Sequence, residues 1–451
     1  MDDAEDSKSR DLDLVLIGGE VFLHSALVRA DVGIKRGRIA VLGDLKYMSA
    51  RETIDVRHLQ ILPGVIDTQV HLREPGFEHQ EDLATGTTAA VLGGVTAVFE
   101  MPNTKPTTTS RELLEDKLCR ARGRVRCHVA FYVGATAENA EGLASLEREP
   151  GCCGVKVFMG SSTGSLLVGD DATLERVLKS GTRRVAVHAE DEARLIERKQ
   201  LTAGGVEQHP LWRDEETALR ATRRLLELAR RCARRVHVLH VTTAEELELL
   251  SRHKDLASIE VTPQHLTLCA PDCYRRLGTL AQMNPPIRDE RHREALWRAV
   301  VTGVVDVVGS DHAPHTLEEK DRPYPSSPSG MTGVQTLVPI LLDHVHRGRL
   351  SLARFVDLTS ARPAGLFRIL GKGRIAAGFD ADLTVVDLAA RRRIENRWIA
   401  SRCGWTPFDG MEVTGWPVMT ILDGRVVMRN DELIGEPAGA ILQFEDTASQ
   451  S

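Results

Sequence analysis

The chain has 451 residues, 42% of them apolar and 27% charged, enough for one large domain plus a smaller one. Its 58 basic and 64 acidic side chains leave a formal charge of −6, which gives no electrostatic case for nucleic acid or an anionic membrane surface as partner. No apolar run reaches 18 residues, so no membrane span is predicted.

The N-terminal MDDAEDSKSRD is acidic and polar, without the basic and apolar regions of a signal peptide, and reads as a frayed end. From Leu12 the apolar residues alternate, with Gly18-Gly19 and later glycines as turns, which is the pattern of antiparallel strands. The far end is similar: GRIAAGFDADLTVVDL and then VMTILDGRVVMRN, where Asp423-Gly424 is a two-residue hairpin signal. Each end alone is too small for a core. Residues 1–60 and 369–451 are therefore expected to pack together as one small β-sandwich, with residues 61–368 inserted between them.

That insert alternates strand and helix. Eight Val/Ile-rich runs, VIDTQV, VTAVFEM, HVAFYVG, VKVFM, VAVHAE, VHVLHV, SIEVTPQ and VVDVVGS, are separated by helical stretches such as SRELLEDKLCRARG and DERHREALWRAVVTG. Continuous apolar strands with helices between them imply a buried parallel sheet, and eight of them a closed (β/α)8 barrel. The Arg-rich RATRRLLELARRCARR carries Ala218, Ala221, Leu225, Leu228 and Cys232 at helical spacing on or beside it, so its arginines read as the wet face of a helix. Neither nucleotide-phosphate glycine motif occurs, and the Gly pairs at 93–94 and 204–205 read as helix ends or turns. The eight cysteines lack a secreted-scaffold or zinc spacing and read as reduced thiols of a cytoplasmic protein.

Five segments, each following a β-like run, offer groups for metal binding or catalysis: Gln69-Val70-His71, Lys156, His188, His240 and Asp311. A lone histidine at a strand end is commonly structural. Three that follow different strands at the C-terminal face of a barrel, where the active sites of this fold lie, point instead to a metal-dependent hydrolase. Asp311 is placed to bind a metal and take the proton of an attacking water, or in isolation to cap a helix. Lys156, within a buried strand, is either paired with a carboxylate or an amine whose pKa is depressed by burial.

Together GVIDTQVHLREPG, EMPNTKP, GVKVFMGSSTG, VHAED, HVLHVTT, NPPIR and GSDHAPH resemble the dihydroorotases of the cyclic amidohydrolase superfamily, over essentially the whole chain. The resemblance implies a TIM barrel with zinc at the strand ends. Lys156 would be carboxylated and bridge two ions, one held by His188 and His240 and the other by His71 and Asp311. It implies reversible opening of dihydroorotate to N-carbamoyl-aspartate in pyrimidine synthesis, with Asp311 as the catalytic proton carrier. Arg73, Asn103 and His315 would hold the substrate carboxylate and Asn284 would contact the ring. Where the family usually has His-x-His, this chain has Gln69, a weaker zinc ligand than imidazole, so the site is expected to hold one ion or bind its second one less tightly. Two alternatives accompany this reading. One is another cyclic amidohydrolase, a hydantoinase (dihydropyrimidinase) or allantoinase. The other is a metal-free scaffold associated with aspartate transcarbamoylase. A homodimer is compatible with the resemblance, but no interface is visible in the pattern.

Overall fold

The computed structural model describes residues 12–162 and 166–448; the acidic stretch 1–11, expected to fray, lies outside them. The alternating N-terminal segment forms β1 (Leu12–Ile17), β2 (Glu20–Leu23), β3 (Ala26–Arg29), β4 (Asp31–Lys35), β5 (Arg38–Gly43), β6 (Ala50–Asp55) and β7 (Gln60–Pro63). The eight central runs become β8 (Val65–Val70), β9 (Val95–Glu100), β10 (His128–Gly134), β11 (Cys152–Phe158), β12 (Val185–His188), β13 (Val236–Val238), β14 (Ala257–Val261) and β15 (Val307–Val308). The C-terminal segment adds β16 (Leu383–Arg393), β17 (Glu412–Leu422), β18 (Arg425–Arg429) and β19 (Glu432–Leu433).

Strands from the two ends contribute to one buried cluster. One sheet has the order β5-β4-β1-β6; the other, β19-β18-β17-β16-β7-β2-β3, interleaves strands from both ends. β16 pairs antiparallel with β7, setting Leu383 opposite Pro63 and Val385 opposite Ile61. Leu14, Leu16 and Ile34 of the first sheet are buried in one cluster with Ile61, Leu383 and Ile421 of the second. Asp423 and Gly424 make the β17–β18 turn, both at positive φ (45° and 72°), as a two-residue hairpin requires.

β8 to β15 are parallel neighbours in sequence order, and every residue in them is buried. Burial on both faces is why these runs are continuously apolar rather than alternating. The barrel closes where the last strand returns to the first: His71 N–H donates to the His312 carbonyl (2.7 Å) and Ser310 N–H to the Asp67 carboxylate (2.9 Å). The last strand is shorter than VVDVVGS suggests. After Val308 the Ser310 amide bonds to a side chain instead of a strand, and Asp311 turns out of the ladder at φ 44°.

Helices pack around the barrel. In Glu215–Arg231, Ala218, Ala221, Leu225 and Leu228 are buried, whereas Arg223, Arg230 and Arg231 face solvent, as the helical spacing predicts. No helix among the described residues is long and apolar enough to cross a membrane. Inside the barrel, the end opposite the strand C-termini is filled by aromatic rings. Phe99 meets Phe367 edge-on at 5.0 Å and also contacts Tyr132 and Phe444. Above this plug is a polar layer in which Glu260 accepts from Thr68 and lies 3.2 Å from His237 Nε2.

Phe99→Ala should lower stability by about 3–5 kcal/mol, the usual loss for an aromatic in a core that cannot collapse. Arg223→Ala on the wet helix face should stay within about 0.5 kcal/mol. Chemical denaturation of both variants checks this, and equal effects would contradict the plugged-barrel packing.

Candidate active site

At the C-terminal ends of the barrel strands, Gln69, His71, Arg73, Asn103, Lys156, His188, His240, Asn284 and Asp311 line one pocket, together with Phe158, Ser162, Ser329 and Gly330. The topology explains the convergence: parallel neighbours in register place strand-end residues in a ring. Arg73, His240 and Asp311 have positive φ (63°, 36° and 44°), a strained backbone for non-glycine residues that concentrates at functional sites. His315 is the exception among the expected site residues. It sits one layer back, behind Gly330, where a Cβ would come within 2.9 Å of its ring and overlap the Ala313 carbonyl.

Two donor pairs face the centre. His188 Nδ1 and His240 Nε2 are 3.1 Å apart; His71 Nε2 and Asp311 Oδ1 are 3.3 Å apart. Bonds of about 2.0–2.1 Å in a tetrahedral zinc site imply ligand-to-ligand edges of about 3.3 Å, so both pairs fit a divalent ion. Buried polar atoms without partners add to the case: Gln69 Oε1 and His240 Nδ1. The imidazoles are neutral, as metal binding requires. Burial takes His71 down to about 4 and His240, packed beside His188, well below its usual value. Burial works to raise Asp311, but the His71 hydrogen bond and the fields of His240, His71 and Lys156 hold it well below the usual carboxylate range.

The outer partners orient these ligands. His188 Nε2 is 2.8 Å from Glu190, which is fully buried and clasped by Arg213 at 2.7 Å. His71 Nδ1 donates to Asn103 Oδ1 (2.8 Å), and Gln69 Nε2 donates to Asp311 Oδ1 (2.9 Å). Such second contacts set tautomer and ring direction. Lys156 has no hydrogen bond or ion pair among the described residues. Its Nζ lies 4.5 Å from the centre of the Phe158 ring, and burial pulls it down to about 7 against the opposing fields of Asp311 and Glu260.

Arg73 is another buried cation without an ion pair among the described residues. It is 2% exposed, its Nε donates to the Pro314 carbonyl (3.1 Å) and its Nη2 lies 3.2 Å from His315 Nε2. The adjacent carboxylates are engaged elsewhere, Glu74 by Arg124 and Asp82 by Arg402. Beneath it Glu100 accepts from the Leu72 amide (2.6 Å) and pairs with the fully buried Lys117 (3.3 Å). Burial lowers the His315 imidazole to about 3, helped by the Arg73 charge, so Arg73 has a neutral neighbour.

The remaining wall is knitted by Lys320. Its buried ammonium donates to the carbonyls of Gln282 (3.0 Å), Pro328 (2.8 Å) and Gly330 (3.0 Å), and burial takes it down to about 7. The segment Ser327–Gly330 is thus pinned, and its Ser329 and Gly330 supply wall residues. Asn284, on the same wall, has its Oδ1 3.0 Å from His209 Nε2. Glu190, Arg213, His209 and Lys320 are site-shaping residues that the motifs alone do not single out. Glu190 had one signal, a carboxylate two places after a candidate ligand histidine.

A second cluster, His128, Asp382 and Asp423, has metal-like composition. It lies at the opposite end of the barrel, where β10 begins, and the Lys372 ammonium already occupies it, 2.6 Å from Asp382 and 3.0 Å from Asp380. That cation neutralises the carboxylates and leaves the strand-end pocket as the better metal site.

Two outcomes follow. Glu190→Gln should weaken metal binding about 10- to 100-fold in a chelator competition, since it removes the charged partner of His188; unchanged affinity would contradict that role. Lys320 binds its proton less readily folded than unfolded, so between pH 7 and its unfolded value of 10.5 the unfolded chain holds more protons and stability must rise with pH. Relative to Lys320→Met, the native protein should gain up to about 1.4 kcal/mol per pH unit across that window in urea unfolding. Parallel profiles would contradict it.

The comparisons with known proteins agree with this architecture. Residues 60–427 match the Amidohydrolase family. Proteins named dihydroorotase from Methanosarcina acetivorans and Halobacterium salinarum are 35% and 38% identical over 442 and 376 residues. The first comparison spans 94% of each chain, the second 82% of this chain and 87% of its relative. Among solved structures, the L-hydantoinase (dihydropyrimidinase) of Arthrobacter aurescens superposes with a TM-score of 0.91 at 28% identity, over 96% of this chain and all of that one. The dihydropyrimidinase of Brevibacillus agri gives 0.87 at 29%, over 94% and 97%. This chain belongs to the amidohydrolase family and is a hydrolase.

Proposed function

We propose that this chain is a dihydroorotase, interconverting (S)-dihydroorotate and N-carbamoyl-L-aspartate in pyrimidine synthesis. The observation that carries the reading is Arg73, a buried guanidinium in the pocket wall with no counter-ion among the described residues. A buried charge is costly unless a partner arrives, and a guanidinium fork matches a carboxylate. Dihydroorotate carries a carboxylate beside its ring amide. Hydantoin and dihydropyrimidine rings carry none, so the fold shared with hydantoinases does not account for Arg73. The relatives named dihydroorotase support the same choice.

In this reading His71, Asp311, His188, His240 and Lys156 hold zinc, with Lys156 carboxylated. The lysine is suited to that modification because its depressed pKa leaves a neutral amine available near neutral pH. Gln69 directs its amide nitrogen to Asp311 and favours a mononuclear site. When bound, the ion lowers the pKa of water toward about 7 and polarises a carbonyl. Arg73 takes the substrate carboxylate and Asn103 orients His71. Asn284 faces the ring. Asp311, ionised, accepts the proton of the attacking water and returns it to the departing ring nitrogen as the C–N bond breaks; ring closure runs the same transfers backwards. Fixing the substrate at one end aligns its amide with Asp311.

The purified protein should contain zinc and turn over dihydroorotate and carbamoyl-aspartate but not hydantoin. Arg73→Gln should cut kcat/KM for dihydroorotate by about 10²–10³, the range expected when one partner of a buried charge pair is removed, with metal content unchanged. Turnover of hydantoin in preference to dihydroorotate would favour a hydantoinase, and absence of both metal and turnover a scaffold. Loss of metal in the variant would mean Arg73 serves the ion instead.

A further inference from the structure

A second cavity, of about 520 Å³, opens on the outer flank of the barrel and shares no lining residue with the active-site pocket. Its wall comes from the helices Pro263–Thr267, Glu290–Val301 and Leu337–His346 and from the segment 407–411. Leu266, Leu268, Phe408 and Met411 make an apolar floor, and the first three are buried. Around it stand four arginines, Arg276, Arg293, Arg347 and Arg349, against one carboxylate, Asp409. Asp409 Oδ1 is already taken by the Asn396 amide at 2.8 Å.

Three of the arginines have acidic neighbours: Arg293 with Glu290, Arg347 with Asp343 and Arg349 with Glu294. Arg276, exposed at the rim, has no ion pair among the described residues; Asp272 and Glu207 lie instead against the adjacent Arg275, at 3.6 and 3.8 Å. The field stays positive nonetheless. The buried His344 ring, edge-on to Trp297 with centroids 4.5 Å apart, is lowered to about 3 by burial and then by Arg349, Arg347 and Arg293. Across Arg347 a neighbouring cavity adds Arg391 and Arg392, which have no ion pair among the described residues. This basic face belongs to a chain of net charge −6, so it is a local feature and not a consequence of composition.

We propose that this cavity binds an organic phosphate carrying a flat ring, of the mononucleotide class. A space of this size with an apolar floor and few polar anchors is typical of small-molecule sites. Guanidinium forks match phosphate oxygens in pairs, while the floor takes the ring by area burial. The assignment does not depend on which cyclic amide the active site accepts.

The test is calorimetric titration of the metal-loaded full chain with AMP, ribose 5-phosphate and adenosine at low salt, where surface charge is least screened. One AMP per chain should bind saturably, with ribose 5-phosphate and adenosine each at least fivefold weaker. The double variant Arg276→Gln/Arg349→Gln, at two exposed positions, should keep the native melting curve and lose AMP affinity at least tenfold. No saturable AMP binding, or binding unchanged in the variant, would overturn the site. Ribose 5-phosphate binding as tightly as AMP would overturn the role given to the floor.

Discussion

A low-dielectric interior tolerates a charge only when something nearby compensates it, and at the mouth of this barrel nearly every charge is compensated. Glu190 is bracketed by Arg213 and His188, Glu100 by Lys117 and a backbone amide, and Lys320 by three carbonyls. Two cations stand apart, Lys156 and Arg73. They lie in the same pocket with different neighbours, Lys156 near the four metal-type donors and Arg73 beside a neutral histidine. Such imbalances mark where ligands belong. The one at Lys156 suits an anionic modification beside a metal, and the one at Arg73 suits an anionic substrate.

The rest of the fold holds this imbalance in place. Aromatic packing plugs the far end of the barrel, a polar layer around Glu260 lies above it, and the ligands are above that. The closure of β15 on β8 sets Asp311 against His71, because Asp67 takes the Ser310 amide and lets the chain turn at Asp311. The β-sandwich built from both ends adjoins the barrel, with Thr384 of β16 donating to the Gly94 carbonyl just ahead of β9. Rigid support under strained backbone is what a preorganised site needs.

Much of this was legible in the sequence, for physical reasons. The barrel strands announce themselves because double-sided burial makes them continuously apolar, and Asp423-Gly424 because a tight hairpin demands two positive φ values. The ligand candidates were visible because each follows such a strand. What was hidden depends on approach in three dimensions. Arg213 meets Glu190 across 23 residues, and His209 meets Asn284 across 75, from a segment with no strand pattern to mark it. Lys320 was hidden because its partners are backbone carbonyls, which no side-chain pattern reveals. The shortness of β15 was equally hidden, since it follows from one side chain replacing a ladder bond.

The fold matches hydantoinases as closely as any amidohydrolase need, so the chemistry must be decided by the pocket and not by the scaffold. Anomalous diffraction at the zinc edge, from crystals grown with carbamoyl-aspartate, addresses both buried cations at once. The account predicts a metal peak within bonding distance of His188 Nδ1 and His240 Nε2, and a substrate carboxylate on the Arg73 guanidinium. A metal peak at His128, Asp382 and Asp423, or a carboxylate turned away from Arg73, would contradict it.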